Sequence, residues 1–119
     1  MPVHHRPARS LRVLLVPQDP ALALRLGLQP DIEVVASATA RPVVALVQEA
    51  TAVPALLAED PECRVLVMTG SAHPGLAASV LAAGAAGLIL RDGPIEDVAD
   101  AVRRAATGET VIDPTLSAP

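Results

Sequence analysis

Short apolar runs without polar alternation recur along this chain, each closed by turn-forming residues. Leu11–Val16, Ile32–Ala36, Arg64–Met68 and Leu88–Leu90 are the clearest. Their β-branched content and length predict strands buried on both faces. Between them lie segments with helical spacing. Asp19 followed by Pro20 is an N-cap with proline at the first helical position, and predicts a short helix over Ala21–Leu26 with Gly27 closing it. Pro74–Ala83 consists of good helix formers. The last helix is the most regular. Ile95, Val98, Ala99, Val102 and Ala105 make one apolar stripe. Glu96 and Asp97 open it and Arg103 and Arg104 close it, as the helix dipole favours. Asp100 and Arg104 are spaced to pair, and Gly108 is placed for the C′ residue.

The segment Ala38–Asp60 has two readings. Val43, Val44, Leu46, Val47 and Ala50 recur at helical spacing, and predict a helix that Pro54 breaks or kinks before Pro54–Glu59 resumes it. The β-branched run Val43–Val47 also reads as a strand, which would leave Gln48 at its C-terminal end. The helix is the expected form. Strand, helix and strand from Arg64 to Leu90 form a βαβ unit, so the sheet is expected to be parallel.

Residues 1–10 carry His4, His5, Arg6 and Arg9 among prolines without periodicity, and read as a flexible arm. Two adjacent histidines with no third ligand nearby do not make a zinc site. Residues 11–116 read as one domain and 117–119 as a tail that follows the packing of Val111 and Ile112. Composition narrows the picture. The chain of 119 residues has no aromatic side chain, so Ala, Val, Leu and Ile must fill the core. A net charge of −4 argues against direct nucleic-acid binding. No apolar run approaches a membrane span. One cysteine, Cys63, excludes an internal disulfide and reads as a packed thiol. With no secretory segment before the first strand, a cytoplasmic location is expected.

Five stretches carry a family resemblance: LRVLLV at Leu11–Val16, PDIEVVASA at Pro30–Ala38, PECRVLVMTG at Pro61–Gly70, LAAGAAGLILRDGP at Leu81–Pro94 and AVRRAATGETVIDPTL at Ala101–Leu116. They resemble the receiver domain of two-component response regulators, and most of all the NarL/FixJ group that precedes a LuxR-like helix-turn-helix. The resemblance implies a doubly wound, three-layer CheY/flavodoxin-like sandwich. It also implies a phosphoryl group taken by an aspartate after the third strand, with Mg²⁺ held by an acidic pair after the first.

The residues at those positions depart from the pattern. Pro17 and Gln18 stand where the acidic pair belongs, so no metal site and no cofactor is expected. Thr69 stands at the switch hydroxyl, and Arg91 replaces the lysine with a guanidinium that is not its equivalent. Both also read as ordinary turn and surface residues, and His73 as a solvated loop histidine. Gly84–Gly87 precedes a strand and is not a dinucleotide fingerprint. The segment Ser37–Cys63 falls short of the roughly 40 residues that helix, strand and helix use at usual lengths. The expected sheet therefore has four strands in order 2-1-4-5, with the acceptor strand missing. No phosphoacceptor is expected, and Gln48 takes that place only if 43–47 is a strand.

The expected function is a degenerate, shortened receiver, not an enzyme, that signals by protein contact without phosphorylation. The alternative is the regulatory portion of a LuxR/NarL-type DNA-binding regulator whose helix-turn-helix is absent from this chain. The helix over Leu76–Ala83 is apolar almost all round. Leu76, Val80, Leu81 and Ala83 are its expected contact face, for a homodimer or a heteromer with another response regulator. A sensor kinase or a downstream helix-turn-helix are the further partners implied.

Overall fold

The computed structural model describes residues 10–71 and 74–116, so His4, His5, His73, the expected arm up to residue 9 and the tail 117–119 lie outside the described residues. The chain runs β1 (Leu11–Val16), α1 (Pro20–Gly27), β2 (Ile32–Val35), a 3₁₀ turn (Ala38–Ala40), β3 (Val44–Val47), α2 (Ala52–Glu59), β4 (Arg64–Thr69), α3 (Leu76–Ala82), β5 (Gly87–Leu90), α4 (Ile95–Ala106), β6 (Val111–Ile112) and a closing 3₁₀ turn (Pro114–Leu116). The described residues form six strands, all parallel, in the order β2-β1-β3-β4-β5-β6.

Alternate residues of each strand feed two cores. Val13, Leu15, Val44, Leu46, Leu66, Met68, Ile89 and Val111 pack beneath α1 and α4. Leu14, Ala45, Val47, Val65, Val67 and Leu88 pack on the opposite face, with Val53 of α2, Val80 of α3 and Leu116. Helices on both faces of a parallel sheet explain why the strands read as unbroken apolar runs.

The expected four-stranded sheet is wrong, and so is its order 2-1-4-5. Residues 44–47 form β3, between β1 and β4, and the third strand is present. Its four side chains are all buried, two on each face. A helix would bury one side of that run, whereas a central strand buries both. Five residues are too few for helical spacing to outweigh the β-branched content.

The length estimate failed because the crossover from β2 to β3 carries no α-helix. Residues 36–43 cross with a single 3₁₀ turn, capped by the Ser37 hydroxyl on the Thr39 N–H at 3.2 Å and ended by Arg41 at φ 59°. Arg12, on the sheet face below, donates from Nη1 to the Ala40 carbonyl at 3.0 Å, and its Nε lies 3.9 Å from Glu33. A polar pair thus stands on the strip of sheet that a crossover helix would otherwise cover.

Other expectations hold or shift slightly. The Asp19 carboxylate accepts from the Leu22 N–H at 3.1 Å, with Pro20 opening α1. Gly27 is the last residue of α1, and Leu28 follows it as the C-cap. Pro54 does not break α2, because it falls in the first turn, where an N–H has no intrahelical acceptor. Arg104 pairs with Glu109 at 3.1 Å, not with Asp100. Val111 and Ile112 form the sixth strand beside β5. Gly87 makes that possible, since a Cβ there would collide with the Val111 carbonyl.

Candidate functional site

Parallel strands end on one edge, and the loops leaving that edge are where doubly wound sheets place their chemistry. Here it carries Gln18 and Asp19 after β1, Gln48 after β3, Thr69 closing β4 and Arg91 after β5. The register fixes their neighbours. Val16 lies opposite Val47, and the Gln48 N–H donates to the Val16 carbonyl at 3.1 Å, so Gln48 sits beside the start of the β1–α1 loop. Thr69 lies opposite Leu90, and the Arg91 N–H donates to the Thr69 carbonyl at 2.8 Å. The Arg91 guanidinium lies along Gly70, 3.6 Å from where a Cβ there would stand.

The functional groups are turned to structural work. Gln18 donates from Nε2 to the Ala36 carbonyl at 3.2 Å, toward β2 and away from the β3 side where Gln48 stands. Asp19 caps α1. The Thr69 hydroxyl donates to the Ser71 carbonyl at 2.9 Å and accepts the Ser71 N–H at 3.3 Å, so it holds its own turn. Among the described residues Arg91 has no ion pair, and neither Asp92 nor Asp19 is its partner. Among them, too, no group of three or more His, Cys, Asp and Glu side chains could hold a metal ion. The amide of Gln48 cannot form an acyl phosphate, and the cap takes up Oδ1 of Asp19.

Cys63 lies away from this edge, before β4. It is buried, and burial, aided by Asp60, pushes its thiol up to about 11. At neutral pH it is a protonated, poorly nucleophilic side chain.

The expected contact face on α3 is divided. Val80 is fully buried, Leu76 and Ala83 are half-buried against the sheet, and Leu81 is exposed. Sequence reasoning missed a different surface. A groove of about 690 Å³ runs between α1 and the edge strand β2, lined by Leu15, Ala23, Leu24 and the whole of Ile32–Ala36. Leu24, in its wall, is 69% exposed, and Leu28, at the C-cap of α1, is 76% exposed. The signal lay in the spacing. Leu22, Leu24, Leu26 and Leu28 alternate, and an α-helix cannot turn all four to one side.

Comparison with solved structures decides the architecture. The signal receiver domain of the response regulator NarL from Mycobacterium tuberculosis superposes with a TM-score of 0.74, over 85% of this chain and 99% of that one, at 23% identity. This chain has the receiver fold. Two Bacillus subtilis proteins are similar in sequence to part of it. The uncharacterized transcriptional regulatory protein YvfU is 41% identical over 54 residues, 45% of this chain and 27% of its own length. The transcriptional regulatory protein DesR is 33% identical over 58 residues, 49% of this chain and 29% of its own length. The matched parts thus span under a third of either relative. No family model matches. No helix among the described residues is long and apolar enough to cross a membrane.

Proposed function

We propose that this chain is the receiver portion of a NarL/LuxR-type transcriptional regulator, and that it signals by protein contact rather than through an aspartyl phosphate. The first half rests on the partial likeness to YvfU and DesR, both named as transcriptional regulatory proteins, together with the receiver fold. A DNA-binding helix-turn-helix then belongs to the same regulator, and a cytoplasmic location follows from the same reading. The shortened β2–β3 crossover and the altered edge make it a degenerate receiver.

One observation carries the second half. Gln48 occupies the end of β3, the place that the receiver resemblance gives to the acceptor aspartate, and Pro17 and Gln18 occupy the places of the metal-binding acids. An amide nitrogen and oxygen offer no carboxylate to phosphorylate. Mg²⁺ favours a near-octahedral oxygen shell, usually anchored by one or two carboxylates. Thr69 and Arg91 then act as turn and surface groups rather than as a switch. Contact with a second copy of the chain, or with a full-length receiver, takes the place of phosphorylation as the event that changes output.

Incubation with acetyl phosphate and Mg²⁺, followed by intact mass measurement, tests the chemistry. The expected result is unmodified protein. A stoichiometric phosphoryl adduct, stable in acid and cleaved by hydroxylamine, would overturn it. Reading the gene beyond the Pro119 codon tests the assignment to a regulator, with an in-frame helix-turn-helix as the expected outcome.

A further inference from the structure

We infer that two copies of this chain join through their β2 edges, forming one continuous sheet across a twofold axis at Val34, with the exposed leucines of α1 closing over the seam. The inference rests on the reading that the chain works by association, and it names the surface. It begins from the hydrogen-bonding groups of β2. The Leu11 N–H donates to the Asp31 carbonyl at 2.8 Å, so in this parallel ladder the odd residues of β2 turn their backbone groups toward β1. The even residues Ile32, Val34 and Ala36 turn theirs to the free edge. Two of those outward groups are already used. The Ile32 N–H donates to the Gln29 carbonyl at 3.2 Å, and the Ala36 carbonyl accepts from Gln18.

What remains is self-complementary. Among the described residues, both outward groups of Val34, the Ile32 carbonyl and the Ala36 N–H have no protein partner. An antiparallel pairing centred on Val34 sets Val34 against Val34 of the second copy, where they exchange two hydrogen bonds. It sets Ile32 against Ala36, where the free carbonyl of one meets the free N–H of the other. The groups already satisfied within the chain are those this register does not need.

Charge selects the same register. Centring on Glu33 would oppose two glutamates directly, which destabilises a strand pair. Centring on Val34 sets Glu33 against Val35. The same axis makes the two α1 helices antiparallel, so Asp19 at the start of one lies toward the last turn of the other, which carries Arg25. Leu24 lines the groove at the β2 edge, and Leu28, the C-cap of α1, follows four residues later. With their counterparts they cover the groove, as the two-fold related patches of an isologous interface do.

Sedimentation equilibrium of the full chain, wild type against Leu24→Glu and Leu81→Glu, tests this. Hydrogen exchange at the Val34 amide is read on the same samples. The expected result is a dimer for wild type and Leu81→Glu, a monomer for Leu24→Glu, and a Val34 amide whose protection is lost on dilution. A dimer that survives Leu24→Glu, or one that leaves the Val34 amide unprotected, overturns this surface and leaves association standing. A monomeric wild type overturns this surface and association with a second copy, and leaves contact with a full-length receiver as the remaining form of the reading. If Leu24→Glu fails to fold, the Val34 amide in the wild type decides alone.

Discussion

Arg103 of α4 grips Asp31, at the entry to β2, with both arms of its guanidinium: Nε to Oδ2 at 2.8 Å and Nη2 to Oδ1 at 3.0 Å. Nη2 also donates to Gln29 Oε1 at 2.8 Å. The fork ties the end of the last helix to the turn that launches the edge strand.

The Arg103 guanidinium hydrogen-bonded to Asp31 holds that carboxyl below its ordinary value of 3.8. A carboxyl whose folded pKa is depressed binds fewer protons in the folded state. Its contribution to stability is therefore full above about 3.8 and is lost as the pH falls through the lower folded value. Both side chains are about a third exposed, so solvent reduces the contribution to about 1 kcal/mol. Asp31→Asn should lower stability by that amount near neutral pH. The gap to wild type should close in acid, as read by urea denaturation at a series of pH values. An unchanged gap at low pH would contradict this.

Gly87→Val should detach β6. The added side chain meets the Val111 carbonyl and the Leu66 side chain, and β6 is two residues long, tied to β5 through the Val111 N–H to Ala86 carbonyl and the Asp113 N–H to Leu88 carbonyl bonds, both 3.0 Å. The expected cost is on the order of 2 kcal/mol. Faster hydrogen exchange at Val111 and Asp113, with β4 amides still protected, would report it.

Gln48→Asp should not restore phosphorylation. The substitution returns a carboxylate to the end of β3, but Pro17 and Gln18 still supply no charged ligand for Mg²⁺. Acetyl phosphate with and without Mg²⁺ should leave the variant's mass unchanged. An adduct that depends on Mg²⁺ would show that Asp19 alone can anchor the metal.

Val80→Glu and Leu81→Glu should separate sharply in stability. Val80 has no exposed surface and packs with Val65, Val67 and Leu88, so a carboxylate there has neither water nor a partner. A loss of several kcal/mol, enough to unfold a small domain, is expected from burying such a group. Leu81 is 38% exposed and its replacement should shift the melting temperature only slightly. Circular dichroism melts of the two variants measure both.

Local signals determined much of this protein. The Asp19–Pro20 cap, the stripe of α4 with its charged ends, and the paired apolar runs around Gly70 and Gly87 each carry their physics within a few residues, and each stands where the sequence puts it. The two candidates at positions 69 and 91 also lie at the sheet edge that their place after apolar runs implies. Tertiary structure decided the rest. Whether Val44–Val47 is helix or strand depends on β1 and β4 on either side of it, which bury both of its faces and are distant in sequence. Whether Val80 or Leu24 is available to a partner depends on which side of an almost wholly apolar helix rests on the sheet. Hydrophobicity alone does not encode that direction, because every side of such a helix gains from burial and only packing can choose among them.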